Sequence, residues 1–324
     1  MIEGTENNSK FHYVMGLLLF IAGLLILVIF VSLRSRTDST STSAEILNKA
    51  PSTDSVVIAP SPVTFSESTD TSVTVSGSYT DLNGCDEVDP NGSVVARLYR
   101  SAVAGASSCA ANDLNCYVNA GCTLSNCSGG GASDITGDYS CAFTVKYYAD
   151  ATDSNDGVGN YSAQTWVAFV TTTDKATAGD PNGTTGTNSA NVEVNLLTAI
   201  DVGSSIAYGN LNLGDTSGIK TLVITDTGND ADVDVQNSGT HLNCTTGTMM
   251  VGQQKYSGVS SFAYADGTAL SSAATDFQLN LNKQQDSNAS QSSTYWRLLV
   301  PASPTSSLKG TCTGTNTITA AHSL

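Results

Sequence analysis

One stretch limits this chain more than any other. Val14 to Leu33 reads VMGLLLFIAGLLILVIFVSL, with no charge and with Ser32 as its only hydroxyl. At 1.5 Å rise per residue, about 20 such residues form a helix that matches a hydrocarbon core of roughly 30 Å. The run is longer than the apolar core of a cleavable signal, about 7–15 residues. LRSRTD follows it, where a signal would show small residues at a cleavage site. A pilin-type helix is the third reading. It calls for a basic leader and an acid near the start of the run, whereas Met1 to Asn8 is acidic. The expected plan is a short polar head and a retained single-pass helix over 1–36, with the rest of the chain beyond the membrane.

The charges flanking the helix do not settle its direction. Lys10 precedes it, Arg34 and Arg36 follow it, and large domains cross membranes largely regardless of such counts. Cysteine usage points outward. Eight cysteines split six and two, as Cys85, Cys109, Cys116, Cys122, Cys127 and Cys141 in one cluster and Cys244 with Cys312 far downstream. The cluster lacks the tight C-x2-C pair of structural zinc sites and has no histidine nearby, so disulfides in an oxidising compartment are expected. Cys244 and Cys312 are expected to pair with each other. The connectivity of the other six stays open. The localisation that follows is a cell membrane, with the C-terminal domains outside the cell.

Composition agrees. The 324 residues carry a formal net charge of -16, and only 13% are charged. Binding nucleic acid needs clustered Lys and Arg, so nucleic acid is excluded as a partner.

Past the helix, Ser, Thr and Pro dominate residues 37–61 and predict a stalk. Residues 62–174 read as alternating strands at 72–79, 93–100, 140–148 and 165–172, with Asp/Asn/Gly turns and no amphipathic helix between them. That pattern predicts an antiparallel sandwich, with residues 101–137 held down by its cysteines. Residues 175–190 are a Gly/Thr/Asn/Pro-rich linker by composition. Residues 191–324 predict a second sandwich, with strands at 192–197, 206–213, 220–225, 231–236, 277–281, 295–300 and 316–320. The fold class is therefore mainly β, two antiparallel β-sandwiches behind one transmembrane helix.

Two resemblances attach to these residues. VTVSGSYTDLNG and TWVAFVTTTD resemble the immunoglobulin-like modules of prokaryotic surface proteins, and the cysteine-rich insert departs from that compact module. IAYGNLNLGDTSGIKTLVITDTGNDADVDVQNSG, with the closing WRLLVP and KGTCTGTNTITA, resembles the β-sandwiches of envelope matrix and cell-wall-attached domains. What these resemblances imply is an extracellular structural or adhesive module without enzymatic activity.

Sites for chemistry are sparse. The three histidines, His12, His241 and His322, lie near no nucleophile motif, and there is no G-x-S-x-G, H-E-x-x-H or P-loop. No catalytic residue and no cofactor are expected, calcium excepted. Asp150, Asp153 and Asp156 in ADATDSNDG give oxygen density without EF-hand order and are the candidate calcium ligands, and a second acidic turn, TDLNGCDEVDPNG, lies at 80–92. Asp and Asn are also the ordinary turn residues. Trp166 and Trp296 are expected to anchor cores.

The function expected is a membrane-anchored surface protein with a structural or adhesive role, its partner an unknown surface protein or a glycan. Its alternatives are a glycan- or calcium-binding surface module, or a self-associating, pilin-like filament subunit. A glycan site would use exposed aromatics, for which Tyr117, Tyr147, Tyr148 and Tyr161 are candidates. A filament subunit would show an unpaired edge or a donor strand near residues 50–65.

Overall fold

The computed structural model describes residues 6–32, 39–44, 48–88, 93–103, 108–128, 134–153, 161–175, 185–304 and 307–323. The chain divides into two units, Met1–Leu47 and Asn48–Leu324. The first holds helix α1, Glu6–Ser32, which contains one 19-residue segment, Phe11–Ile29, long and apolar enough to cross a membrane. Its apolar side chains, from Phe11 to Ile29, are exposed. A helix apolar on all sides has no solvated face to present to water.

The second unit is all β. Its first half carries β1 (Ser52–Thr53), β2 (Val57–Ala59), β3 (Thr71–Thr80), β4 (Ser93–Arg100), β5 (Cys116–Asn119), β6 (Thr123–Ser125), β7 (Thr136–Val145), β8 (Trp166–Thr173) and β9 (Thr185–Val192). They form two antiparallel sheets, β1-β3-β7-β6 with β2 also on β3, and β5-β4-β8-β9. Alternation decides which side chains meet between them. Along β8, Trp166, Ala168, Val170 and Thr172 point inward; along β7, Tyr139, Cys141, Phe143 and Val145 do so. Trp166 is fully buried and donates from Nε1 to the Asp150 carbonyl at 2.8 Å.

Two expectations change here. Residues 185–190, read as the end of a linker, lie in β9, which pairs with β8 along eight residues from Trp166↔Val192 to Thr173↔Thr185. TGTNSANV has only Ala190 and Val192 as apolar side chains, both at its end, so an edge strand held by backbone hydrogen bonds leaves no hydrophobic period to read. Residues 176–184 of that stretch lie outside the described residues. Of the expected strand at 192–197, only Val192 is in a strand, as the end of β9, and Val194 makes a parallel bridge with Val63.

Residues 52–59, expected in a stalk or as a donor strand, belong to the sandwich itself. β1 and β2 both lie along β3, and the chain bends between them where Gly77 admits the Ser55 carbonyl. A Cβ at Gly77 would sit 1.9 Å from that oxygen, so no other residue fits without displacing the crossing strand.

The second half carries β10 (Ile200–Val202), β11 (Lys220–Asp226), β12 (Asp232–Gly239), β13 (Leu242–Thr246), β14 (Thr248–Met249), β15 (Gln254–Ser257), β16 (Thr268–Ala269), β17 (Thr275–Asn282), β18 (Gln291–Leu298), β19 (Lys309–Thr313) and β20 (Asn316–His322). A five-stranded sheet, β10-β11-β18-β15-β16, packs with a three-stranded one, β17-β12-β20, through Ile224, Val233, Val235, Leu279 and Leu281. A third sheet, β14-β13-β19, packs through Leu242 and Met249 against Leu298 and Val300. Trp296 is buried beside Tyr256 at a ring distance of 5.1 Å. The expected strand at 206–213 does not form. Gly209 and, just past the stretch, Gly214 take φ of +87°, outside the extended region of a strand, and Ile206, Tyr208 and Leu211 line a groove wall instead.

Candidate functional site

All eight cysteines are paired, as Cys85–Cys127, Cys109–Cys116, Cys122–Cys141 and Cys244–Cys312. The first three pin the segment between β4 and β7 to its sandwich. Cys122, just before β6, ties to Cys141 inside β7, and Cys127, just after β6, ties to Cys85 in a 3-10 turn over Cys85–Glu87. Cys244 and Cys312 sit directly opposite each other on β13 and β19.

Asp150 and Asp153, two of the three expected calcium ligands, take different partners. Asp150 is 3% exposed, and its carboxylate is occupied by two cations, with Arg100 Nε donating to Oδ2 at 2.9 Å and Lys283 Nζ donating to Oδ1. Asp153 accepts from the Leu196 amide at 3.0 Å. Asp156 lies outside the described residues. With a guanidinium on one oxygen and an ammonium on the other, the Asp150 carboxylate is the centre of a buried ion triad, and a calcium ion there would face two cations already in place.

That triad joins the two sandwiches, since Lys283 follows β17 in the second and Asp150 follows β7 in the first. Other contacts line the same seam. Tyr147 Oη donates to Gln284 Oε1 at 2.5 Å, Thr227 Oγ1 to Glu67 Oε1 at 2.9 Å, and the Ser68 amide to the Thr227 carbonyl at 3.0 Å. Asn229 Oδ1 accepts from the Leu197 amide at 2.6 Å. Asp226 lies at this seam, fully buried, with Oδ2 accepting from the Gln284 amide at 3.0 Å. Burial pushes its carboxyl up to about 6; the neighbouring Asp230 adds to the rise. Sequence reading misses Lys283 and Asp226, because both sit at strand ends whose partners are far away in the chain.

The aromatic candidates for a glycan platform face inward or are engaged. Tyr117 stacks on Trp166 at 5.9 Å and donates to the Asp113 carbonyl at 2.6 Å. Tyr148 is 3% exposed, Tyr147 is committed to Gln284, and Tyr161 lies under the Arg100 guanidinium at 3.9 Å. The two histidines outside α1 are engaged as well. His241 Nδ1 accepts from the Val251 amide at 2.9 Å, and His322 Nδ1 lies 2.9 Å from Asp230.

An open groove of about 1310 Å³ lies in the second half, lined by Ile206, Tyr208, Leu211, Leu298, Leu308 and Ile318. Among the described residues, Lys309 is the one charged side chain on its wall. It has no pair of titratable groups at hydrogen-bond distance that could move a proton.

The chain matches no protein-family model and no curated protein. Among solved structures, the crystal structure of the CupB6 tip adhesin from Pseudomonas aeruginosa overlays with 83% of this chain and 95% of that chain covered, at 10% identity and a TM-score of 0.26. That overlay is too loose for a shared fold. What stands on the chain's own evidence is a mainly β protein of antiparallel sheets, disulfide-bonded, with one apolar helix near its N-terminus.

Proposed function

We propose that this chain is a surface protein with a structural or adhesive role. In this reading α1 anchors it in the cell membrane as a single span, and the disulfide-bonded β unit stands outside the cell. The observation that carries the reading is the pairing of all eight cysteines. Cytosolic thiols are kept reduced, whereas exported domains retain their bridges. The exposed apolar surface of α1 supports the anchor. The absence of an enzymatic role is part of the proposal, since the two histidines outside α1 are held by backbone or by Asp230 and the groove carries no proton-transfer pair. Its partner is then another surface molecule, protein or glycan, or a further copy of itself.

Protease added to intact cells tests this reading. Loss of the whole 48–324 unit, with α1 left in the membrane fraction, is the expected result. Survival of that unit until the cells are lysed contradicts it.

A further inference from the structure

One end of the first sandwich gathers three carboxylates from three separate places. Asp81 follows β3 immediately, Glu87 closes the 3-10 turn Cys85–Glu87, and Asp174 follows β8. A ligand oxygen from each lies within 4.8 Å of the other two. Asp81 is 0% exposed and Asp174 is 2% exposed. Among the described residues, no lysine or arginine forms an ion pair with Asp81 or Glu87.

The polar atoms there are incompletely satisfied. Asp81 Oδ1 accepts from the Asn83 amide at 2.9 Å, but Oδ2 is buried without any partner, and so is Glu87 Oε2. Asn48 donates from Nδ2 to Asp174 Oδ2 at 2.9 Å and leaves its own Oδ1 buried without a partner. A buried carboxylate oxygen with no donor costs free energy, and a cluster of like charges adds to that cost. Burial first, and the neighbouring acids after it, hold the Asp81 and Glu87 carboxyls above their ordinary range.

A bound cation removes both penalties. Calcium takes oxygen ligands at about 2.3–2.6 Å, so two oxygens on one ion stand at most about 5 Å apart, the spacing found here. The donor set is all oxygen, because Cys85 is tied to Cys127. We infer that Asp81, Glu87 and Asp174 form a divalent-cation site of the calcium type. It differs from the Asp150 loop expected from sequence, and it does not depend on the surface role proposed above. β3 and β8 belong to opposite sheets, so the ion would fasten the two sheets together at the end where the chain enters at Asn48. Reading the sequence alone finds Asp81 in an acidic turn but cannot bring Asp174 to it from 93 residues away.

Titration calorimetry with calcium chloride on the full chain, held in detergent and stripped with a chelator, tests the site. Binding is expected in the range of about 10⁻⁴–10⁻³ M, where extracellular calcium modules work. The melting temperature should rise with calcium, and less with magnesium, which keeps its waters and demands octahedral geometry. The double variant Asp81→Asn/Glu87→Gln should weaken binding more than tenfold. Without calcium it should melt no lower than the wild type, because two like charges, on buried Asp81 and half-buried Glu87, are gone, and that separates lost binding from lost folding. Asp153→Asn should bind as the wild type does. No binding up to about 10 mM by the folded chain, or equal affinity in the double variant, overturns the site, as does loss of binding in Asp153→Asn alone.

Discussion

Lys283 of the second sandwich reaches into the first and donates to Asp150, whose other carboxylate oxygen is held by Arg100 at 2.9 Å. The side chains of all three are at most 12% exposed. A triad buried like this fastens the two halves through charge, and breaking it from one side leaves a charge stranded.

Asp150→Ala strands two cations and should cost about 3–5 kcal/mol in urea unfolding. Lys283→Met leaves Asp150 with Arg100 and should cost less. Equal, negligible losses for both would mean that the seam is wet and the triad screened.

Gly228 tests the seam through backbone rather than charge. A Cβ there would come 2.0 Å from the Leu197 carbonyl, on the segment joining the sandwiches. Gly228→Ala should destabilise by about 1–3 kcal/mol, the cost of an overpacked core, and should increase proteolysis near residues 193–199. A variant with the wild-type digestion pattern and stability would show that the two halves do not meet there.

Stability should depend on pH through the buried acids. Asp226 sits at about 6 and Asp81 is raised, both because burial disfavours the anion. A carboxyl whose folded value is raised binds more protons when folded, so its contribution falls as pH rises from the unfolded value through the folded one. Between about pH 4 and 6 the Asp226 contribution should decline by on the order of 2–3 kcal/mol. Melting the full chain in chelator across that window checks the sign. Stability that rises steadily through it would show Asp226 and Asp81 to be solvated.

Cys244 and Cys312 lie opposite each other across β13 and β19, 68 residues apart in sequence. Closing a loop of that length restricts the unfolded chain by about 4 kcal/mol in the chain-entropy model. Replacing both with alanine in the full chain should lower the melting temperature by several degrees. An unchanged melting temperature would place the stabilisation of this sheet in Leu242, Met249, Leu298 and Val300 alone.

The legible and the illegible parts of the sequence differ in physical kind. Trp166, Ala168 and Val170 are buried and alternate with the half-buried Val167, Phe169 and Thr171, so β8 and its inner face can be read directly. The same holds for β7 and β3. β9 cannot be read, because an edge strand of Thr, Gly, Asn and Ser owes its place to backbone pairing with β8. Residues 206–213 mislead in the other direction, since their apolar residues suggest a strand, but Gly209 at positive φ breaks it and Ile206, Tyr208 and Leu211 line a groove wall. The ion triad and the carboxylate cluster were hidden for a third reason. Each joins residues 50 or more apart, and only the closing of the sheets brings Arg100 to Asp150 or Asp174 to Asp81.

The central claim is that the β unit lives where thiols are oxidised. The direct measurement is alkylation of the protein taken from its native cells, denatured without reductant and weighed by mass spectrometry. The account predicts that none of the eight cysteines reacts until reductant is added, whereupon all eight do. Free thiols at Cys244 and Cys312, or across the Cys85–Cys141 cluster, in protein so taken would contradict it.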